Sequence, residues 1–302
     1  MVVKINIFVE NKMKLCAVIV SYNSDKVFRC YESVKNQVDF TVIADNATKD
    51  GGIIERLRQL ADSDKNLKLL LNGENFGIAY ALNQGIEYAK EKKCGWLLTL
   101  DQDSELPPST VENMMKDYNS LSEEKKEKIA VLGCKYIERG FGLGQHPRPL
   151  DPFRENNLMV NSGNFIKLPV FEKAGGFCEK LFIDYVDIEF YYRVLKAGLK
   201  NYEAQNVFII HEFGKSQKKL GFHITNQPPF RRYYIARNGL YFFKEFLFIY
   251  PYRAFRVAFG ATAGGAAKIL LFEKDKIKKY KYILLGIKDA LLNKYGKLKE
   301  PS

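Results

Sequence analysis

The chain has 302 residues, of which 46% are hydrophobic and 14% aromatic, so it is long and apolar enough to bury a large core, and a disordered protein is excluded. Its 47 Lys and Arg residues against 35 Asp and Glu give a net charge of +12, which favours polyanionic partners: nucleic acid, an anionic membrane surface or phosphorylated substrates. The five cysteines form no Cys-x-x-Cys pair, which argues against a disulfide framework or a zinc site and predicts a reducing cytoplasm.

The first 134 residues alternate predicted strands with predicted helices. Short apolar runs that end at polar residues predict strands at 15–20, 40–44, 67–71, 96–100 and 129–134. Apolar residues at helical spacing predict helices at 25–37, 53–61, 78–92 and 110–118. This alternation predicts an α/β fold with a mostly parallel, doubly wound sheet.

Three other segments are interpreted from their composition. Residues 1–13 are expected to be a disordered leader, since 1–9 are too short and too weakly basic for a signal peptide. The charged run 122–128 is expected to be solvated. The segment 140–157, dense in Gly, Pro and Arg, predicts a long loop near the site.

Polar residues recur where the predicted strands end, at 21–23, 45–48, 72–75 and 101–103. Carboxyl ends of parallel strands meet at one edge of a sheet, which is where a nucleotide binds in open α/β folds. No Gly-x-Gly-x-x-Gly follows the first strand and no P-loop motif occurs, so neither dinucleotide binding nor a P-loop is supported.

The Asp101-Gln102-Asp103 segment directly follows the apolar run 96–100. Two hard oxygen ligands at the end of a buried strand predict a site for Mg²⁺ or Mn²⁺ beside a diphosphate. The alternative is a solvated Asp-x-Asp turn that caps the next helix.

The composition becomes aromatic and basic beyond residue 227. The apolar stretch 246–272 is interrupted by Arg253, Arg256 and Lys268, so we expect a segment that lies on a surface rather than one that spans a membrane. Lysines alternate with apolar residues over 268–299. This pattern predicts either peripheral contact with an anionic membrane or a helical pair that packs against the sheet or a second subunit, as in a homodimer.

Several motifs, in this order and spacing, resemble family 2 glycosyltransferases with a GT-A fold. They are residues 18–23 (VIVSYN), Asp45-Asn46, Asn75-x-Gly77-x-x-x-Ala81-x-Asn83-x-Gly85, Asp101-Gln102-Asp103, Gly175-Gly176-Phe177, the acidic segment 182–190 with Arg193, and His211. Three further features are similar to the rhamnosyltransferase branch of that family. They are the Asp-Gln-Asp-Ser form of 101–104, the segment 183–187 (IDYVD), and Arg231-Arg232-Tyr233-Tyr234 with Arg237-Asn238.

The resemblance implies a GT-A nucleotide-sugar domain over 14–226 and a helical region over 227–302 for acceptor, membrane or oligomer contacts. It implies that Asp103 and His211 hold Mg²⁺ or Mn²⁺, with Asp101 supporting the metal and orienting the ribose. For His211, which follows the strand-like run 207–210, the alternative is a satisfied core histidine.

For catalysis, the resemblance aligns Asp187 with the general base of the family, and Asp184 and Glu189 with supporting acids. Val186 stands where many relatives carry Glu. With one base and no obvious nucleophile opposite it, we expect a single displacement with inversion. The alternative for the three acids is a solvated helix start, where carboxylates are stabilised by the helix dipole.

For the donor, the resemblance implies a set of nucleotide-sugar residues. They are Ser21, Tyr22, Asn23, Asp45, Asn75, Gly77, Asn83, Asp101 and Gln102. Asp45 is the expected base-reading carboxylate, with an Asx turn as its other role. Asn83 on a helix has capping or packing as its alternative.

Three arginines, Arg231, Arg232 and Arg237, are predicted to contact the diphosphate or the acceptor through their forked donors. The alternative is a basic helical face that the interleaved tyrosines partly bury.

Together these features predict a metal-dependent inverting glycosyltransferase that moves L-rhamnose from dTDP-β-L-rhamnose to a lipid-linked or growing bacterial cell-surface polysaccharide, in the cytoplasm at the inner face of the cell membrane. UDP-galactofuranose or a UDP-hexose is the alternative donor. A nucleic-acid-binding protein is disfavoured because acidic loops would repel phosphate unless a cation intervenes. A non-catalytic scaffold is disfavoured because Asp103, Asp187 and His211 are all present.

Overall fold

The computed structural model describes residues 13–138, 151–211, 217–219, 222–224 and 226–299. The first half of its main sheet is parallel and has the strand order β3-β2-β1-β4. These strands are β1 (Leu15–Ser21), β2 (Phe40–Asp45), β3 (Leu67–Leu71) and β4 (Trp96–Asp101), and the helices between them are α1 (Lys26–Val34), α2 (Gly51–Ser63) and α3 (Ile78–Glu91). The predicted strands and helices of this half are therefore confirmed, with bounds that shift by a few residues.

All seven residues of β1 are buried because helices cover both faces of the sheet. Alternate residues of β1 enter two core clusters, one with α3 and the other with α1 and α2. Gly85 of α3 allows the helix to approach β1 closely, since a Cβ at this position would lie 2.4 Å from a methyl carbon of Val18.

The second half of the sheet mixes parallel and antiparallel pairs. Its strands are β5 (Ser104–Glu105), β6 (Ile129–Glu138), β7 (Phe153–Glu155), β8 (Asn164–Lys167) and β9 (Lys200–His211). Antiparallel β8 lies between β4 and β6, while β9 runs parallel to β6 and antiparallel to β5 and β7. Its helices are α4 (Thr110–Asn119), α5 (Glu123–Lys128), α6 (Val170–Ala174) and α7 (Val186–Lys196). A short hairpin pairs β10 (Gln217–Lys219) with β11 (Phe222–Ile224).

Two composition-based expectations concern described segments. The charged run 122–128 is largely exposed, as expected, and forms the short helix α5, at whose start the Ser122 hydroxyl accepts a hydrogen bond from the Lys125 amide. Of the predicted loop 140–157, only 151–157 is described, and it contains β7. The expected leader lies outside the described residues, except for Met13.

The C-terminal region is helical, with α8 (Pro229–Phe246), α9 (Pro251–Phe272) and α10 (Lys276–Leu291). Its three helices are joined by a buried ion network in which Glu273 accepts from Arg232 at 2.6 Å and from Lys279 at 2.9 Å. Aromatic packing ties α8 to α7, where the rings of Phe242 and Tyr192 lie 4.8 Å apart.

By length and composition, α9 could cross a membrane, with a mean hydropathy of 1.3 over a window that is 17% buried. This differs from the expectation drawn from Arg253, Arg256 and Lys268, because the two arginines lie near one end of the helix and leave an apolar remainder. Core helices of soluble proteins share this length and composition, so these two properties alone do not place α9 in a membrane.

Candidate active site

A cavity of about 770 Å³ opens at the carboxyl ends of β1 and β4, and α7, α8 and α9 contribute to its wall. Eleven of the predicted site residues line it. They are Ser21, Tyr22, Asn75, Gly77, Asp101, Gln102, Asp103, Asp184, Asp187, His211 and Arg231. Residues as far apart in the sequence as Ser21 and Arg231 thus meet at this edge of the sheet. The polar residues at the strand ends predict that a ligand binds there.

Asp101, Asp103 and His211 form one cluster in this cavity. One ligand atom from each lies within 4.8 Å of the others, and His211 Nδ1 is 3.6 Å from Asp103 Oδ1. The cluster forms because β5 pairs with β9 and sets Ser104 opposite His211. Two carboxylates and an imidazole fit a divalent cation such as Mg²⁺ or Mn²⁺, with open positions for phosphate oxygens.

Two buried serines fix the geometry of this cluster. The Ser104 hydroxyl lies 2.8 Å from His211 Nδ1 and 2.7 Å from the Ser162 hydroxyl, which accepts from the Asp101 amide at 3.0 Å. The ring of Tyr136 meets the His211 ring edge-on at 5.7 Å, and its hydroxyl donates to the Ser162 carbonyl. A ligand set braced in this way is preorganised before any cation binds.

The turn that leads into α7 places two more carboxylates at the cavity. Phe182 is the central residue of a γ-turn with φ +65° and ψ −61°, closed by a 2.8 Å hydrogen bond from the Ile183 amide to the Leu181 carbonyl. Asp184 and Tyr185 follow with φ of +63° and +66°. Non-glycine residues in the left-handed region cost about 1–3 kcal/mol each, so the surrounding structure must hold this turn.

Asp187 lies in the first turn of α7, immediately after the strained segment. Its Oδ1 accepts from the Ile188 amide at 2.8 Å. Burial raises the pKa of the Asp187 carboxyl to about 6, and the charges of Asp184 and Asp101 add to the effect while the amide hydrogen bonds oppose it. A carboxylate with a pKa in this range is suited to accept a proton near neutral pH.

Asp101 and Asp184 are two further carboxylates near Asp187, and different charged groups affect the pKa of each. Burial and the charge of Asp103 raise the pKa of Asp101 to about 6, opposed by His211 and Arg231. Burial also raises the pKa of Asp184, although Arg231 opposes this through a two-point contact of 2.9 and 2.5 Å.

Hydrogen bonds between Tyr22 and Gln102 join the loops that follow β1 and β4. The Tyr22 amide donates to the Gln102 side chain at 2.8 Å, and Gln102 donates back to the Tyr22 carbonyl at 3.1 Å. The Tyr22 ring is 41% exposed, so it is accessible to a ligand.

Gly77 marks a close approach between the start of α3 and the turn at Phe182. Its φ is +93°, and a Cβ there would lie 2.5 Å from the Phe182 carbonyl oxygen, so only glycine fits. Asn75 Oδ1 accepts from the Gly77 amide, and the Phe182 carbonyl accepts from the Ile78 amide. Protein acceptors thus occupy these two amides at the start of α3.

Asp45 and Asn23, two of the predicted nucleotide residues, do not line the cavity. Asp45 is 1% exposed and accepts from the Ser21 hydroxyl and from the amide and hydroxyl of Thr48. Asn23 braces the same loop through Thr48 and Lys49. Asp45 and Asn23 therefore shape the loop that carries Ser21 and Tyr22, and direct contact with a base stays a prediction.

Asn83 is bound away from the cavity. Its side chain accepts from the Phe177 amide at 2.8 Å and donates to the Phe177 carbonyl at 3.0 Å. A Cβ at Gly176 would lie 2.8 Å from the side-chain oxygen of Asn83. The motif Asn83 with Gly176-Phe177 is thus a packing device, which is the alternative that the sequence left open.

The structure corrects three further predictions, all for the same helical reason. A side chain turns by about 100° per residue on an α-helix, so neighbours of a site residue point elsewhere. Glu189 is 3% exposed and pairs with Arg193, not with Asp187. Arg232 pairs with Glu273 inside the C-terminal helices, and Arg237 is fully buried against backbone carbonyls.

Sequence reasoning missed several residues of the cavity. Asn46, Asn161, Phe182, Tyr185, Gln227, Ile235 and Ala261 line it, and Ser162 supports it. Asn46, Phe182 and Tyr185 lie inside motifs that carry the family resemblance, so those motifs were the available signal. The others depend on segments that meet only in the folded chain.

Comparison with known proteins now bears on this site. The model of glycosyl transferase family 2 matches residues 16–170, just over half of the chain. The chain belongs to glycosyltransferase family 2. Among its relatives, the dTDP-rhamnosyl transferase RfbF of Shigella flexneri is 31% identical over 243 residues, which cover 74% of this chain and 77% of the relative.

Two solved structures resemble this family 2 glycosyltransferase in fold. S. aureus TarS 1-349 in complex with UDP-GlcNAc matches with a TM-score of 0.57 and 14% identity, over 93% of this chain and 82% of that chain. GalNAc-T7 with UDP, GalNAc and Mn²⁺ matches with a TM-score of 0.54 and 16% identity, over 75% of this chain and 48% of that chain, so this chain spans about half of it. The predicted GT-A fold, family and likeness to the rhamnosyltransferase branch are confirmed.

Proposed function

We propose that this glycosyltransferase is a metal-dependent inverting enzyme that transfers L-rhamnose from dTDP-β-L-rhamnose to a lipid-linked or growing bacterial cell-surface polysaccharide. The observation that carries the proposal is the meeting of the Asp101, Asp103 and His211 cluster with Asp187 and Arg231 in one cavity. Sugar transfer from a nucleotide diphosphate needs both a cation site for the leaving group and a base for the acceptor.

Asp103 and His211 would hold the cation, Mg²⁺ or Mn²⁺, with Asp101 beside them. A bound cation neutralises negative charge that develops on the departing diphosphate. The donor set of carboxylates and imidazole supports this assignment, and GalNAc-T7, a neighbour in fold, is solved with UDP and Mn²⁺.

Asp187 would accept the proton of the acceptor hydroxyl as that oxygen attacks the anomeric carbon and the bond to diphosphate breaks. Asp184 is held by Arg231 and therefore is not free to act as a nucleophile. A single base without a second reactive carboxylate supports one displacement, in which the β-linked donor gives an α-linked product.

The donor assignment depends on the likeness to the dTDP-rhamnosyl transferase RfbF. A thermal-shift series with dTDP, UDP and GDP, each with Mn²⁺, tests it, because a ligand that binds the folded state stabilises it by about 2.7 kcal/mol at 100 times its Kd. We expect dTDP to raise the Tm most, and dTDP-β-L-rhamnose to be the donor that is consumed. A larger shift with UDP would favour UDP-galactofuranose or a UDP-hexose, and no shift with any nucleotide would overturn the proposal.

The same proposal places the enzyme at the inner face of the cell membrane, in contact through α9 and α10. Large apolar side chains on these helices are more than half exposed: Tyr252, Phe255, Leu270, Leu271, Ile277 and Leu284. Every charged residue of α9 is basic, namely Arg253, Arg256 and Lys268. An isologous dimer through α9 would bring these cations together, whereas anionic lipid neutralises them.

Continuity between this face and the cavity supports a lipid-linked acceptor. Ala261 of α9 lines the cavity, while Phe255 and Leu270 of the same helix are exposed to solvent. A helix that lies in the membrane interface would therefore put the cavity within reach of a sugar carried on a lipid diphosphate.

A further inference from the structure

The segment Arg237-Asn238 of α8 is the part of the rhamnosyltransferase-like motif that the proposed chemistry leaves unused. Both side chains are fully buried, with no exposed surface. Neither lines the cavity, so neither is a contact for substrate. Their hydrogen bonds run instead to the backbone of the turn that precedes Asp187.

Asn238 holds this turn at three points. Its side-chain amide donates to the carbonyls of Leu181 at 2.9 Å, Ile183 at 2.8 Å and Asp184 at 2.9 Å. These carbonyls flank the γ-turn at Phe182 and belong to the stretch in which non-glycine residues are left-handed. Loss of this amide would leave the buried carbonyls of Ile183 and Asp184 without the Asn238 donor, which is unfavourable, so the turn would be released from its strained geometry.

Arg237 orients Asn238 and adds two contacts of its own. Its Nε donates to the Asn238 oxygen at 2.9 Å, which fixes the amide with its nitrogen toward the turn. Its guanidinium also donates to the Leu181 carbonyl at 3.0 Å and to the Gly296 carbonyl at 2.6 Å. Arg237 thus joins the turn at Phe182 to the segment that follows α10.

Other residues on the same face of α8 reinforce the contact. Arg231 binds Asp184 itself, and the Tyr234 ring stacks on the Phe182 ring at 5.3 Å. Positions 231, 234 and 238 are spaced by three and four residues, so they form one stripe on the helix. This stripe faces the turn along its whole length.

We propose that Asn238, oriented by Arg237, is a positioning residue that holds the turn Phe182–Tyr185 so that Asp187 faces the cavity. The inference depends on the proposed role of Asp187 as base. Arg237 and Asn238 would act through the backbone of the turn, because neither side chain reaches the cavity. A misplacement of a catalytic group by about 1 Å can cost about 100-fold in rate.

The test compares Asn238→Ala with Lys244→Met. Lys244 is a matched control, since it also lies on α8 and also donates to a backbone carbonyl, that of Ala290 at 2.6 Å, but not to the turn. We expect Asn238→Ala to lower kcat about 100-fold while the Kd for dTDP with Mn²⁺ changes less than two-fold. Lys244→Met should leave both values near those of the wild type.

Hydrogen exchange provides a readout that does not need activity or a known donor. Asn238→Ala should speed exchange of the amides at 183–189 while those at 96–101 in β4 stay protected. If Asn238→Ala does not fold, Arg237→Lys tests the same contact, because it keeps the charge but loses the fork that orients the amide. Unchanged exchange at 183–189 would overturn the proposal. Faster exchange without loss of kcat would instead remove Asp187 as base.

Discussion

At the scale of single residues, the site is built at the expense of stability. Asp187 has a pKa of about 6 in the folded chain because it is buried near Asp184 and Asp101. The unfolded chain has the ordinary value near 3.9, so between these pH values the folded state binds more protons. Stability from this group is therefore greatest at low pH and falls as pH rises to about 6, above which the cost of the buried charge is constant.

Asp187→Asn is expected to stabilise the fold at pH 7.5 while it abolishes transfer. The Asn side chain can still accept from the Ile188 amide but carries no charge, so the free energy of unfolding should rise by about 1–3 kcal/mol. The gain should shrink as pH falls from 6 toward 4. Urea unfolding at three pH values without metal measures it, and donor binding should remain near the wild-type value.

Asp184→Asn is the matched control for this prediction. It removes one charge three residues away but leaves the half-buried Arg231 without its carboxylate, so it should destabilise the fold at pH 7.5. Equal destabilisation by both substitutions would contradict the role given to burial at Asp187. Turnover retained by Asp187→Asn would remove it as the base.

At the scale of elements, α9 combines two tasks. One side of this 22-residue helix packs on α8 through buried Ala254, Ala258 and Ile269. The rest is apolar and exposed, which is unusual for a helix of a monomer in water. The proposed membrane contact would cover this exposed face, and its basic residues favour an anionic surface.

Arg253→Gln with Arg256→Gln is expected to weaken binding to vesicles of phosphatidylglycerol. Each basic residue near an anionic surface contributes about 1 kcal/mol, so the double variant should bind about 10- to 30-fold less tightly in cosedimentation. Lys49→Gln with Arg58→Gln removes the same charge from residues outside the C-terminal helices and should bind as the wild type does. Equal binding to vesicles of phosphatidylcholine, or a stable dimer that Phe255→Ser dissociates, would favour an apolar protein partner instead.

At the scale of the whole molecule, the cation cluster joins distant parts of the chain. Asp101 ends β4 and Asp103 follows it, whereas His211 ends β9 after more than a hundred intervening residues. A ligand held by all three is bound only by the folded state, so it should stabilise the entire fold.

Mn²⁺ is therefore expected to raise the Tm, and a chelator to abolish transfer. His211→Ala should lose the Mn²⁺-dependent shift, because two carboxylates alone hold the ion weakly. Glu87→Gln, which removes an exposed carboxylate of α3, serves as the control and should keep the shift. Full turnover in the presence of a chelator would contradict the roles of Asp103 and His211.

Periodic patterns in the sequence were sufficient for the first half of the fold. The apolar runs of β1, β2 and β4 are buried on both faces, so consecutive apolar residues predict each of these strands locally. No local sequence pattern predicts that antiparallel β8 pairs with β4 and β6. Strand order there depends on contacts between segments about seventy residues apart.

The sequence motifs predicted most of the residues that line the cavity, but the direction of a single side chain depends on the residues that pack around it. Asp103, Asp187 and Arg231 reach the cavity as expected, while Arg232 is turned away by its place on α8 and by the acid that it meets there. Helical spacing limits which neighbours share a face, yet it does not say which face meets the cavity.

The sequence by itself determined the α/β class, the family and the residue types of the site, because buried strands and polar strand ends are local properties. Only the tertiary structure decided that Ser104 and Ser162 brace the cluster, and that Arg237 and Asn238 bind the turn before Asp187. Those contacts join residues whose separation in the chain exceeds fifty positions. Such pairs leave no local pattern, since each residue would read as an ordinary polar position until folding brings its partner close.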